Sequence, residues 1–184
     1  VDTAHYEVTY VYDGVTARTA SGGLLKNAFE WCGTDKIEML DIDGQLNDDD
    51  FATIRGLSKL TVLNMAASKI DGNAIPSGAF ADMKLEWYVS PYNFTSVGSG
   101  IFKGCDKLAA LTWNSSTIEL PEDVVTDVAN PNMLVYAKAQ AMIPYAMRNV
   151  VVNGVANNII LVDSAGNNNF KCPEEIEIGR AVQQ

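Results

Sequence analysis

Leu60-Thr61-Val62-Leu63-Asn64-Met65 reads as a short strand that keeps positions one, four and six for its own interior. The same frame returns in Leu85-Glu86-Trp87-Tyr88-Val89-Ser90 and in Leu108-Ala109-Ala110-Leu111-Thr112-Trp113, its first positions 25 and then 23 residues apart. Upstream, Ile37-x-x-Leu40-x-Ile42 fits at a spacing of 23, and a looser copy, Met133 to Lys138, fits downstream at 25. Each segment alternates like a strand and then enters a polar turn, and the middle copies add a second apolar cluster before the next strand. A fixed period of this length is the mark of stacked coils, each burying its apolar residues against its neighbours. Four or five copies exceed the ~3 that such a stack needs to hold together.

The second halves of the copies narrow the type. Ile75-Pro76-Ser77-Gly78-Ala79-Phe80 matches Val97-Gly98-Ser99-Gly100-Ile101-Phe102-Lys103-Gly104-Cys105. This resembles the short leucine-rich repeats of the BspA-like surface-protein family, with Phe80 and Phe102 at the family Phe and Cys105 at its Cys. Asp82 or Met83 stands in place of that Cys in the earlier copy. The resemblance covers about residues 37 to 140, and Phe170-Lys171-Cys172-Pro173 also looks like a segment that follows the repeats in such proteins. It implies an α/β fold, a leucine-rich-repeat solenoid with a parallel concave β-sheet. It also implies an exported bacterial surface protein that recognises or adheres to others. In physical terms the Phe and Cys are plugs inside the coil, opposite the strand leucines.

A stack exposes the core of its terminal coils unless a cap covers it. His5 to Asp13 places Tyr6, Val8, Tyr10 and Tyr12 on one strand face, and Gly23 to Trp31 reads as a short amphipathic helix stopped by Gly33. These make residues 1–35 an N-terminal cap, with repeats over 36–140. Residues 141–184 form a small C-terminal β-segment, in which Val150–Asn153 and Ile159–Val162 flank Gly154 as a hairpin or successive strands.

The chain has 184 residues and a net charge of −10, from 13 Lys+Arg against 23 Asp+Glu, with no basic cluster. Phosphate recognition needs such a cluster, so nucleic acid is not an expected partner. No run of ~18 apolar residues occurs that would span a membrane. Val1 in place of an initiator Met reads as a processed or trimmed start. Cys32, Cys105 and Cys172 lie too far apart for a disulfide framework or a zinc site and read as buried thiols.

Asp41-Ile42-Asp43-Gly44-Gln45-Leu46-Asn47-Asp48-Asp49-Asp50 tempts a calcium reading, because Asp41, Asp43, Asn47 and Asp50 fall on oxygen-ligand positions when Gly44 takes position six. Position one is then Met39, which offers no oxygen, and Met39 and Ile42 belong to a strand that cannot curl around an ion. The alternative makes Asn47 or Asp48 a helix N-cap, Asp49 and Asp50 first-turn charges, and Gly56 the stop, with Phe51, Ile54 and Leu57 on the apolar face. The only His is His5, so His-based catalysis has little to build on. Pairs such as Asp41/Asp43 or Glu174/Glu175 are not set apart from a solvated acidic face. No catalytic residue, cofactor or metal is expected.

A binding face follows from the repeat frame. Residues between the inward positions point to the concave surface. They fall in one row of Met39, Val62, Trp87, Ala110 and Val135, a second of Asp41, Asn64, Val89, Thr112 and Ala137, and a third of Asp43, Ala66, Pro91, Asn114 and Ala139. Trp87 is an aromatic anchor amid small neighbours, as recognition surfaces use. Trp87, Asn64, Asp41, Thr112 and Asn114 are the candidate ligand-binding residues. The expected function is a non-catalytic adhesion module with a protein ligand. The alternative is a glycan-binding accessory protein of a carbohydrate-uptake system with a polysaccharide ligand.

Overall fold

The computed structural model describes residues 6–11, 14–30, 33–128, 130, 133–138, 142–143, 151–152, 155–156 and 160–161. His5, Cys32, Cys172 and Phe170–Pro173 lie outside them. The chain opens with β1 (Tyr6–Val11) and β2 (Gly14–Thr19), followed by a five-residue helix α1 (Leu25–Phe29). Next come β3 (Met39–Leu46), α2 (Asp48–Arg55), β4 (Val62–Asn64), β5 (Ser68–Ile70) and β6 (Ala74–Ile75). The later repeats supply β7 (Trp87–Val89), β8 (Ser96–Val97), β9 (Ala110–Trp113), α3 (Asp123–Val128) and β10 (Leu134–Ala137). Three two-residue strands follow, β11 (Val151–Val152), β12 (Val155–Ala156) and β13 (Ile160–Leu161).

The main sheet runs in the order β1-β2-β3-β4-β7-β9-β10-β13. β1 and β2 are antiparallel, and the later pairs along this order are parallel. Strands one repeat apart therefore lie side by side, as the repeat period requires. Met39 pairs with Val62, Val62 with Trp87, and Trp87 with Ala110. β11 and β12 pair with each other, while β13 joins β10, so the C-terminal segment holds a hairpin and then a further strand of the main sheet.

Two expectations are corrected here. β2 was not anticipated: it is a parallel strand beside β3, and Val15 and Ala17 on it are buried next to Leu40 and Ile42. The last repeat also sits one residue away from its expected register. Leu134, not Val135, pairs with Ala110, and Tyr136, not Ala137, pairs with Thr112. A one-residue slip exchanges the faces of a strand, so Val135 and Ala137 go into the core and Leu134 and Tyr136 take the open face.

One apolar core runs behind the sheet. Leu40, Leu63, Tyr88, Leu111 and Val135 line up on its inner face, each buried. Against them stands a file of aromatic rings from the return segments. Phe51 lies 5.8 Å from Phe80 and Phe80 lies 5.5 Å from Phe102, with Tyr88 4.6 Å from Phe80 and 5.3 Å from Phe102. Cys105 is fully buried, and its thiol donates to the Phe80 carbonyl at 2.9 Å. Burial pushes that thiol from its ordinary 9.0 up to about 11. Gly98 lets two returns touch: a Cβ there would overlap the Ser77 backbone, where β6 and β8 pair.

Asn47 caps α2, accepting from the Asp50 backbone N–H at 3.3 Å while Asp50 accepts from Asn47 N–H at 2.8 Å, a reciprocal capping box. Asp50 is more than a first-turn charge. It is 1% exposed, and its carboxylate also accepts from Gly23 N at 2.7 Å and Leu25 N at 3.1 Å. One buried carboxylate thus satisfies the start of α1 and of α2 together, tying two successive coils. Gly44 lets β3 pass close to β2: its φ is +135, and a Cβ there would overlap the Thr19 carbonyl.

Candidate functional site

The face of the sheet turned away from the core carries the candidate residues. Its first row is Met39, Val62, Trp87, Ala110 and Leu134. Val62 and Ala110 are buried, while Met39, Trp87 and Leu134 keep part of their surface exposed. Small residues alternate with large ones, so each large side chain has room to lie over its neighbours. Trp87 lies towards β9, since its indole Nε1 donates to Thr112 Oγ1 at 3.1 Å. The Trp87 ring is therefore fixed, with its polar atom satisfied and part of its apolar surface in water.

The second row is Asp41, Asn64, Val89, Thr112 and Tyr136. Asp41 is exposed, Asn64 and Thr112 are partly so, and Val89 and Tyr136 are buried. Crowding by neighbouring groups holds the Asp41 carboxyl above its usual range, and a hydrogen bond with the Asn64 side chain partly opposes this. Asn64 Oδ1 in turn accepts from Ala66 N at 3.0 Å, which fixes the amide beside Asp41.

The third row dissolves. β4 ends at Asn64, β7 at Val89 and β9 at Trp113, so the alternation stops before Ala66, Pro91 and Asn114. Asn114 was expected on the open face, and instead it is buried. Its Nδ2 donates to the Ser90 carbonyl at 2.7 Å and its backbone N–H donates to Ser90 Oγ at 2.7 Å. Its side chain is committed to the joint between repeats. Of the described third-row residues only Asp43, on the long β3, stays in the sheet, and Ala139 lies outside the described residues.

The structure adds residues that strand periodicity did not reach. Tyr92, in the loop after β7, is 50% exposed, and the Lys138 ammonium stands 5.2 Å from its ring centroid, a cation–π contact. At the other end of the face β1 and β2 contribute Glu7 and Arg18. Arg18 bridges Glu7 at 2.9 Å and Asp43 at 3.4 Å. Tyr136 was reachable only with the correct register, and Arg18 only with β2.

Four of the five candidates thus share one face: Trp87 and Thr112 joined by a hydrogen bond, Asp41 and Asn64 side by side on adjacent strands. Among the described residues no group of His, Cys, Asp or Glu side chains is placed to hold a metal ion. Among them, too, no helix is long and apolar enough to cross a membrane. Residues 24–118 and 73–139 match the family described as BspA type Leucine rich repeat region, in six copies. No curated protein matches the chain.

Proposed function

Because the chain belongs to the BspA-type leucine-rich-repeat family, we propose that it is a non-catalytic recognition module of a bacterial cell surface. Its repeats form a solenoid and hold a protein ligand against the concave side of the sheet. Family membership suggests a surface protein-interaction module, and leucine-rich repeats commonly bind proteins. The observation that carries the reading is Trp87, fixed by Thr112 with its ring part-exposed on the open face. A rigid aromatic group loses little entropy on binding and offers a large apolar contact, which suits it as an anchor. A chemical step would instead ask for groups that exchange protons. On this face Asp43 is paired with Arg18 and Asp41 with Asn64, an arrangement suited to recognition.

The test is a binding screen against extracellular-matrix proteins and polysaccharides, run with the wild-type chain and Trp87→Ala. A protein ligand lost or weakened at least tenfold in the variant is the expected result. A protein ligand bound equally by both would move the site off this face, and no binding at all would count against a recognition module.

One observation favours a glycan as a second reading: Trp87 at the start of β7 and Tyr92 in the loop that follows it both present aromatic surface. Sugar rings stack on such faces. Polysaccharide hits without protein hits, again lost in Trp87→Ala, would select it.

A further inference from the structure

The acidic groups on the open face are not equivalent. Glu7 and Asp43 share Arg18. Asp41, next to Asp43 on the same side of β3, is exposed, and among the described residues no cation stands within ion-pair distance of it. Its sheet neighbours are Thr16 on β2 and Asn64 on β4, both neutral. From there towards the C-terminal repeats the face turns apolar, through Val62 and Val89 to Trp87. A carboxylate without a counter-charge, at the rim of an apolar strip, is what an incoming cation would complete.

Resting on the recognition reading above, we propose that this face takes an extended basic peptide segment. A lysine or arginine of the segment pairs with Asp41, and an apolar side chain lies against Trp87. Strand spacing sets the ligand's dimensions. Adjacent strands are about 4.8 Å apart, so from β3 to the Trp87 ring, which reaches over β7 to β9, is roughly 10–14 Å. An extended chain rises about 3.3 Å per residue. The basic and apolar residues therefore stand three or four positions apart. The chain's net charge of −10 favours such a partner at long range, while Asp41 fixes where it sits. The partial burial that disfavours a bare charge on Asp41 is offset by the positive charge that the same contact brings.

The experiment uses an array of dodecapeptides in which lysine content, apolar content and the spacing between the two vary independently. It is read with the wild-type chain, Asp41→Asn, Trp87→Ala and Asp48→Asn. Asp48 is exposed at the start of α2, so its variant makes the same charge change away from the face. The expected result is strongest binding to peptides with lysine three or four positions from an apolar residue. Asp41→Asn should remove the lysine preference, about a tenfold loss, Trp87→Ala should weaken every peptide, and Asp48→Asn should match wild type. An equal loss in Asp48→Asn would reduce the effect to net charge and overturn the proposal. Peptide binding that needs Trp87 but ignores lysine would overturn it and leave the recognition reading standing, whereas binding of polysaccharide alone in the screen above would overturn it and select the glycan reading. Binding to neither class would remove both.

Discussion

The first two coils and the middle coils solve the same stacking problem with different chemistry. Around β2, α1, β3 and α2 the strands run six and eight residues, and the returns include helices. The coils there are tied by the buried Asp50 carboxylate, and the open face is charged. Around β7 and β9 the strands shrink to three and four residues, and the returns are turns plugged by Phe80, Phe102 and Cys105. There the open face is apolar and aromatic. The lesson is that the strand row sets the register for both regions, while the return segment decides what holds neighbouring coils together. Long strands keep a third row of polar side chains in the sheet. Beside the short β9 Asn114 turns back into the joint, leaving an apolar strip beside Trp87.

If the middle coils rest on their ring file, breaking it should cost most. Phe80 touches Phe51, Tyr88 and Phe102, and Phe80→Ala should destabilise the chain by about 3–5 kcal/mol, measured by chemical denaturation. A loss below about 1 kcal/mol would show that the returns can collapse around the gap.

The matching break in the first coils is Asp50→Ala. It strips acceptors from the backbone N–H groups of Gly23, Leu25 and Asn47 and should cost about 2–3 kcal/mol. Hydrogen exchange should show the loss of protection concentrated in α1 and α2. Uniform loss across the sheet would mean that the two regions unfold as one and that the contrast has no energetic meaning.

A smaller effect belongs to Cys105 and is read from pH. Its thiol titrates near 9.0 when unfolded and near 11 in the fold, raised chiefly by burial. The nearby Asp82 and Asp106 carboxylates add to the rise, while Lys84 and a backbone hydrogen bond at Met83 act against it. The folded state then holds the proton more tightly, so the thiol's contribution is fully present below pH 9.0 and is lost as pH rises towards 11. Tyr88, also raised by burial, loses stability in the same direction, so the Cys105 share must be isolated as wild type minus Cys105→Ala. Identical alkaline slopes for the two chains would contradict it.

The smallest effect is at the charged end of the face. Because crowding raises the Asp41 carboxyl, ionised Asp41 opposes folding at neutral pH. Asp41→Asn should therefore leave Tm unchanged or raise it by a degree or two. A clear drop would mean that Asp41 is a structural group.

Much of this contrast was legible in the sequence, for physical reasons. Leu40, Leu63, Tyr88 and Leu111 recur with the period of one coil because each must face the same core, and Phe80 and Phe102 follow the same rule. β2 obeyed it too, with Val15 standing 25 residues before Leu40, but the polar Thr16 and Arg18 between its small apolar residues masked the frame. The last repeat slipped because Leu134 and Val135 are both apolar, so hydrophobicity alone could not say which one faces inward. Asp50 read as a helix-dipole charge, since its partners, Gly23 and Leu25, are backbone groups more than twenty residues away. Tyr92 lies in a loop, where alternation carries no information about exposure.

The most direct test of the account is hydroxyl-radical footprinting of the free chain, read by mass spectrometry at Trp87, Tyr92 and Trp113. Trp113 is fully buried, with its Nε1 donating to the Ile118 carbonyl at 2.7 Å, and serves as the internal zero. An open recognition face predicts strong oxidation at Tyr92, clear oxidation at Trp87 and none at Trp113. Trp87 as silent as Trp113 would mean that the face is covered, and the recognition site would have to lie elsewhere.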